Sequence, residues 1–193
     1  MNEVEFIEAL KQGEHEAFRM LVNRYKTMVV STCFYLTQDK DDAQDIAQDV
    51  FIEVFLSVGK FRGNASISTW LYRIAVNKSL NFKKKKNSMG IFRSLDTIFG
   101  SQKQSQFVGI DDSQASIERE HEYERRQKAL YQAINSLPDS QRAVFTLHKF
   151  NKLPYQDIAE IMNTTLPAIE SLMHRAKKNL QANLVKTIKK ETL

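Results

Sequence analysis

Two carboxylates four residues apart, Asp45 and Asp49, share one face of any helix that carries them. That spacing suits a metal ion and equally a solvated helix surface. The single cysteine, Cys33, rules out an internal disulfide and falls on an apolar helical stripe, which favours a buried thiol over a nucleophile. His15, His121, His148 and His174 stand alone, with no second His or Cys at metal-ligand spacing. Gly59-Lys60 lacks the upstream glycine that a phosphate-cradling loop requires. Catalysis is not indicated, and neither a metal nor an organic cofactor is expected.

Charge carries more information. Lys and Arg total 28 against 23 Asp and Glu, a net charge of +5, and the two signs are segregated along the chain. Residues 39–53 hold six acids (Asp39, Asp41, Asp42, Asp45, Asp49 and Glu53) against Lys40 alone. Residues 60–86 hold eight bases, Lys60, Arg62, Arg73, Lys78 and the run Lys83 to Lys86, with no acid at all. Phe61, Trp70, Tyr72 and Phe82 are interleaved with those bases. Cations for phosphates beside rings for stacking are what single-stranded nucleic acid requires, although Phe61 and Trp70 are equally suited to a core. A third region, 154–183, reads as a short helix, a polar turn and a second helix, the helix-turn-helix plan. The second helix turns Glu170, Ser171, His174, Arg175, Lys177 and Lys178 outward, and residues 165–190 carry six bases against one acid. Such a face can meet base edges and phosphates in a major groove.

The elements that must position these side chains are helices. Only six Gly and three Pro in 193 residues argue against a sandwich or barrel. No apolar run approaches the length of a membrane span, and the acidic start Met1-Asn2-Glu3-Val4-Glu5 lacks the order of a secretion signal. A soluble, cytoplasmic protein without stable membrane insertion is the expectation. Val4, Phe6, Ile7 and Leu10 share one helical face, with Gly13 placed to end it. Phe18, Leu21, Val22, Tyr25, Val29 and Phe34 mark a second helix. A third carries Ala43, Ile46, Ala47, Val50, Phe51, Val54, Phe55 and Val58 as its apolar residues. A fourth is predicted from about Trp70 to Lys84, with Ser68 or Thr69 as its cap. Residues 87–116, with three Gly and six Ser, show poor periodicity and read as a linker between two domains. Helical signal returns near Ile117 and continues to Ser136. Pro138 and Pro154 each stand where a helix can begin, and Asn163-Thr164-Thr165 makes the turn before the last one.

Several motifs resemble one family. Asp42-Ala43-Gln44-Asp45-Ile46-Ala47-Gln48-Asp49-Val50-Phe51, Phe61-Arg62-Gly63 and Ser68-Thr69-Trp70-Leu71-Tyr72-Arg73-Ile74-Ala75-Val76-Asn77 are similar to region two of extracytoplasmic-function sigma factors. Ser136-Leu137-Pro138, Tyr155-Gln156-Asp157-Ile158-Ala159 and His174-Arg175-Ala176-Lys177 resemble region four. The resemblance implies an all-α chain of two small helical domains, region two over 1–86 and region four over 117–193, joined by a flexible linker at 87–116. It implies a non-enzymatic subunit that directs bacterial RNA polymerase core to promoters. The polymerase contacts would be the largest-subunit coiled coil and the flap, with an anti-sigma factor as a further partner. By the same resemblance Asp45, Gln48, Asp49 and Phe51 dock on the coiled coil. Phe61, Arg62 and Asn64 lie in the loop that captures the melted minus-ten strand. Asn77 belongs to the pocket for a flipped base, Trp70 helps to wedge the duplex open, and Arg73 and Lys78 hold phosphates. Thr165, Glu170, Ser171, His174, Arg175 and Lys178 would meet the minus-thirty-five duplex.

One departure matters. Many relatives have Lys or Arg, Ser and Arg where this chain has Glu170-Ser171-Leu172. A carboxylate cannot hold guanine as Arg does, but it accepts from cytosine N4, so the promoter preference of other members is not carried over. Two competing readings are a helix-turn-helix regulator acting without polymerase and a nucleic-acid enzyme using Asp45 and Asp49. The first leaves the acidic helix and the acid-free stretch without a purpose. The second has only the two carboxylates in its favour.

Overall fold

The structure is a computed structural model that describes the backbone of residues 2–93 and 114–191 and the side chains of residues 2–86 and 125–185. Among these residues the architecture is all-α: α1 (Glu3–Lys11), α2 (His15–Thr37), α3 (Lys40–Ser57), a 3-10 turn (Val58–Lys60), α4 (Ile67–Arg93), α5 (Gln114–Asn135), α6 (Asp139–Lys149), α7 (Tyr155–Ile161) and α8 (Leu166–Glu191).

Local chemistry sets most of the boundaries. Asn2 and Glu5 form a reciprocal capping box on α1, their side chains accepting from each other's backbone N–H at 2.8 and 2.9 Å. Gly13, at φ +77°, makes the sharp turn into α2. The Asp39 carboxylate accepts from the N–H groups of Asp41 and Asp42, each at 3.0 Å, and so starts α3. Pro138 and Pro154 precede α6 and α7 as expected. Asn163, at φ +50°, turns the chain between α7 and α8.

Two differences from the sequence reading have local causes. The α4 helix starts at Ile67, because Ser66 rather than Ser68 or Thr69 is the cap: its Oγ accepts from Thr69 N–H at 3.1 Å. It also runs to Arg93, and α5 begins at Gln114, so helical backbone enters the expected linker from both ends. Apolar periodicity is poor there, but helix can continue without it. The rest of that linker, 94–113, lies outside the described residues.

The N-terminal helices α1 to α4 enclose one apolar cluster, in which Leu21, Val29, Val50, Val54 and Leu71 are fully buried. The C-terminal helices enclose a second, built on Ile134, Val144, Leu147, Ile158, Ile169 and Met173. Leu36 from α2 and Tyr72 and Val76 from α4 belong to this second cluster. The two halves therefore pack against each other instead of merely being tethered, and α2 and α4 are apolar on two sides.

Candidate nucleic-acid interface

Three surfaces carry the candidate residues. The first is the outer face of α3. Its inner face buries Ala43, Ile46, Ala47, Val50 and Val54, which leaves Asp45, Gln48 and Asp49 exposed along one side. Phe51 is turned into the core at 9% exposure. The apolar groups that do reach the surface are Ile52, Phe55 and Leu56, at 57, 54 and 75% exposure. Phe55 thus leaves the core stripe in which the sequence placed it, and its ring stands edge-on to Phe18 at 5.2 Å. The available signal was the width of the apolar arc, which exceeds what one buried face accommodates. Among the described residues, no group of three metal-ligating side chains includes Asp45 or Asp49.

The second surface is the loop after the 3-10 turn and one side of α4. Arg62 and Asn64 are exposed at the loop tip, where Gly63 adopts φ +72°. Phe61 is buried, and its ring tilts against half-buried Trp70 at 5.0 Å, so the two aromatics brace each other. Trp70, Arg73 and Asn77 follow at steps of three and four, which places them on one side of the helix. Asn77 is exposed. The Arg73 guanidinium donates to the backbone carbonyl of Glu160, at 3.1 Å from Nε and 2.7 Å from Nη2, and lies 3.9 Å from the Glu160 carboxylate. Lys78 pairs with Glu53 on α3 at 2.8 Å. Both partners keep substantial solvent contact, so this pair is worth little to stability.

The lysine run is likewise engaged within the chain. Lys83 donates to the Asn135 side chain, Lys84 lies 3.8 Å from Asp139, and Lys86 pairs with Asp42 at 2.5 Å. Burial, with Arg142 adding to it and Asp139 opposing, pushes the Lys83 ammonium down to about 8.

The third surface is the outer side of α8. Ile169, Met173, Ala176 and Leu180 face inward onto α7 and α6, and the Asn179 side chain donates to Gln141 on α6 at 2.8 Å. Thr165, Glu170, Ser171, His174, Arg175 and Lys178 are all exposed, as is Leu166, which the sequence reading passed over. Thr165 Oγ1 lies 3.4 Å from the Ala168 N–H at the helix start. The α7–turn–α8 unit thus presents one helix whose free side bears an acid, hydroxyls and cations. That geometry fits a major groove.

Two helical modules in this order, one with the acidic and basic faces and one with a helix-turn-helix, define a class of transcription factor. Residues 21–89 match the family model of Sigma-70 region 2, and residues 127–180 match that of Sigma-70, region 4. The ECF RNA polymerase sigma factor SigW of Bacillus subtilis is 30% identical over 183 residues, covering 92% of this chain and 94% of that protein. The RNA polymerase sigma-H factor of Pseudomonas aeruginosa is 29% identical over 183 residues, covering 93% and 92%. The chain belongs to the extracytoplasmic-function sigma factors of the sigma-70 family, which act in RNA polymerase-directed transcription initiation. Its fold is similar to that of CnrH in complex with the cytosolic domain of CnrY, with a TM-score of 0.62 and 18% identity over 95% of this chain and 97% of the other. It is also similar to sigma factor RpoE in complex with the anti-sigma factor NepR from Bartonella quintana, with a TM-score of 0.61 and 20% identity over 86% and 96%.

Proposed function

We propose that the chain divides its work among the three surfaces. Residues 1–86 dock on the polymerase core through Asp45, Gln48 and Asp49 and capture the melted minus-ten strand with the loop after the 3-10 turn and one side of α4. Residues 117–193 read the minus-thirty-five duplex through α8, and 87–116 tether the two. The observation that carries this reading is the placement, within one half, of an acidic helix face studded with Ile52, Phe55 and Leu56 and of a loop and helix side bearing Arg62, Asn64, Trp70, Arg73 and Asn77. A regulator that needs only duplex DNA has no use for the first face.

The chemistry follows from the side chains. Unstacking a base costs a few kcal/mol, which a polar amide at Asn77 and the braced Phe61–Trp70 pair would offset. On α8, Glu170 accepts from cytosine N4, while Arg175 and Lys178 meet phosphates. Partners of this chain are then the core enzyme, including its coiled coil and flap, promoter DNA in the cytoplasm, and an anti-sigma factor of the kind present in the complexes of similar fold. Co-purification with core polymerase tests the reading: approximately equal stoichiometry is expected, and failure to associate would refute it.

A further inference from the structure

Leu166 opens α8 with its side chain in solvent. It is 37% exposed, and among the described residues of the C-terminal half only Val185, much further along the same helix, is also a large apolar side chain left outside. Its apolar neighbours in sequence do otherwise, since Met162, Ile169 and Leu172 all pack against the C-terminal cluster. A single exposed leucine needs no explanation by itself. The place of this one narrows what it can meet.

Leu166 and Glu170, four residues apart, share one side of α8. From Thr165 to Ser171 the chain carries one acid and no cation, and the exposed cations Arg175, Lys177 and Lys178 come later. A carboxylate is repelled by phosphates, so the side that bears Glu170 has base edges to face and not the backbone. The helix start is no phosphate cradle either. Thr165 Oγ1 faces the Ala168 N–H at 3.4 Å, Pro167 has no N–H, and the Ile169 N–H already donates to the Thr165 carbonyl at 3.1 Å. Past the cap only the Leu166 N–H is left, where a helix start that binds phosphate offers several. On the floor of a major groove the apolar group on offer is the 5-methyl of thymine.

We propose that Leu166 is a specificity-determining residue, which reads the 5-methyl group of one thymine in the minus-thirty-five element. This rests on the reading of α8 as the helix that enters that duplex. Four residues of helix rise about 6 Å, and stacked base pairs lie about 3.4 Å apart. The thymine therefore stands within about two base pairs of the base that Glu170 meets. Thymine is selected there by apolar contact, while Glu170 selects by hydrogen bonding.

Thymine and uracil pair alike and differ by that methyl group, so exchanging them isolates the contact. The probe is a promoter fragment from a mapped transcript start, with each thymine of its minus-thirty-five element replaced in turn by uracil. Glu170→Ala locates the neighbouring base by the preference that it relaxes. Holoenzyme with the parent chain should lose about fourfold in affinity, the usual worth of one buried methyl, at a thymine within that distance. Leu166→Ala exchanges two good helix formers at an exposed position, so the fold should hold. It should bind the thymine fragment about fourfold more weakly than the parent and be indifferent to the exchange, and Leu166→Met should keep the response. A parent that tolerates every exchange, a Leu166→Ala chain that responds as the parent does, or an element without a thymine there would overturn the proposal. Arg175→Ala/Lys178→Ala in the same assay then separates two failures. Weaker binding with a shallower salt dependence keeps α8 on the duplex, and only the methyl contact has failed. Unchanged binding means that the minus-thirty-five reading has failed as well.

Discussion

Asn77 and Arg73, one helical turn apart on α4, separate two kinds of DNA contact. Asn77→Ala is expected to cost about 1–3 kcal/mol of promoter binding, the usual worth of one good base contact. The loss should be confined to templates with the preferred minus-ten base, because a phosphate contact would weaken every template alike. Binding of holoenzyme to fork-junction DNA with that base varied measures it, and a uniform loss would remove Asn77 from the pocket. Cys33 offers a second check at this scale. Burial pushes its thiol up to about 11, from an ordinary 9.0, against weaker opposing hydrogen bonds including one with Ser79. The folded state therefore favours the protonated thiol, and this contribution is present below pH 9 and lost as pH rises towards 11. Chemical denaturation of wild type and Cys33→Ala across that window should show the wild type losing stability faster. Equal slopes would mean that the thiol is not desolvated. Residue types alone signal Cys33 as a buried group, whereas Asn77 is marked only by the family resemblance. The apolar stripe holds Phe51, whose docking role comes from the resemblance alone, while the inward turn of Phe61 is not legible, because an aromatic ring beside charges is equally at home in a core and on a binding face.

At the scale of elements, α3 bears opposite demands on its two sides, and its start depends on Asp39. Removing that cap with Asp39→Ala should lower stability by about 1 kcal/mol in denaturant unfolding. Little change would mean that tertiary packing alone fixes the helix start. Asp45→Lys combined with Asp49→Lys alters only exposed positions, so far-ultraviolet circular dichroism should be unchanged while core binding weakens. Normal holoenzyme formation by that variant would exclude the face as the dock. The existence and order of the helices were legible because buried stripes at three- and four-residue steps and well-placed Pro and Asp residues agree with one another. The start of α4 was not, since Ser66, Ser68 and Thr69 are all plausible caps and only the folded hydroxyl geometry selects the first. The extension to Arg93 is not legible because its apolar pattern is poor and leaves no helical periodicity to mark it.

For the whole molecule, the main feature hidden from the sequence is the packing of one half on the other. Leu36 and Val76 lie outside the apolar stripes that mark α2 and α4, Tyr72 reads as one of the rings among the bases, and nothing in the spacing says that their partners lie in the other half. That packing predicts a pH dependence. Lys83, held at about 8 by burial and by Arg142 against the pull of Asp139, disfavours its proton in the packed form. Its contribution to packing is full above its ordinary value of 10.5 and is lost as pH falls through about 8. The separation of labelled halves should therefore widen from alkaline to neutral pH, and Lys83→Met should flatten the response. A separation independent of pH in the wild type would contradict it. The central claim, that this chain gives polymerase its choice of promoter, has a more direct test. Purified chain and core enzyme, run on genomic fragments with mapping of the transcript starts, should yield discrete starts that vanish when the chain is omitted and fade with Asp45→Lys/Asp49→Lys. Starts that are the same with and without the chain would contradict it.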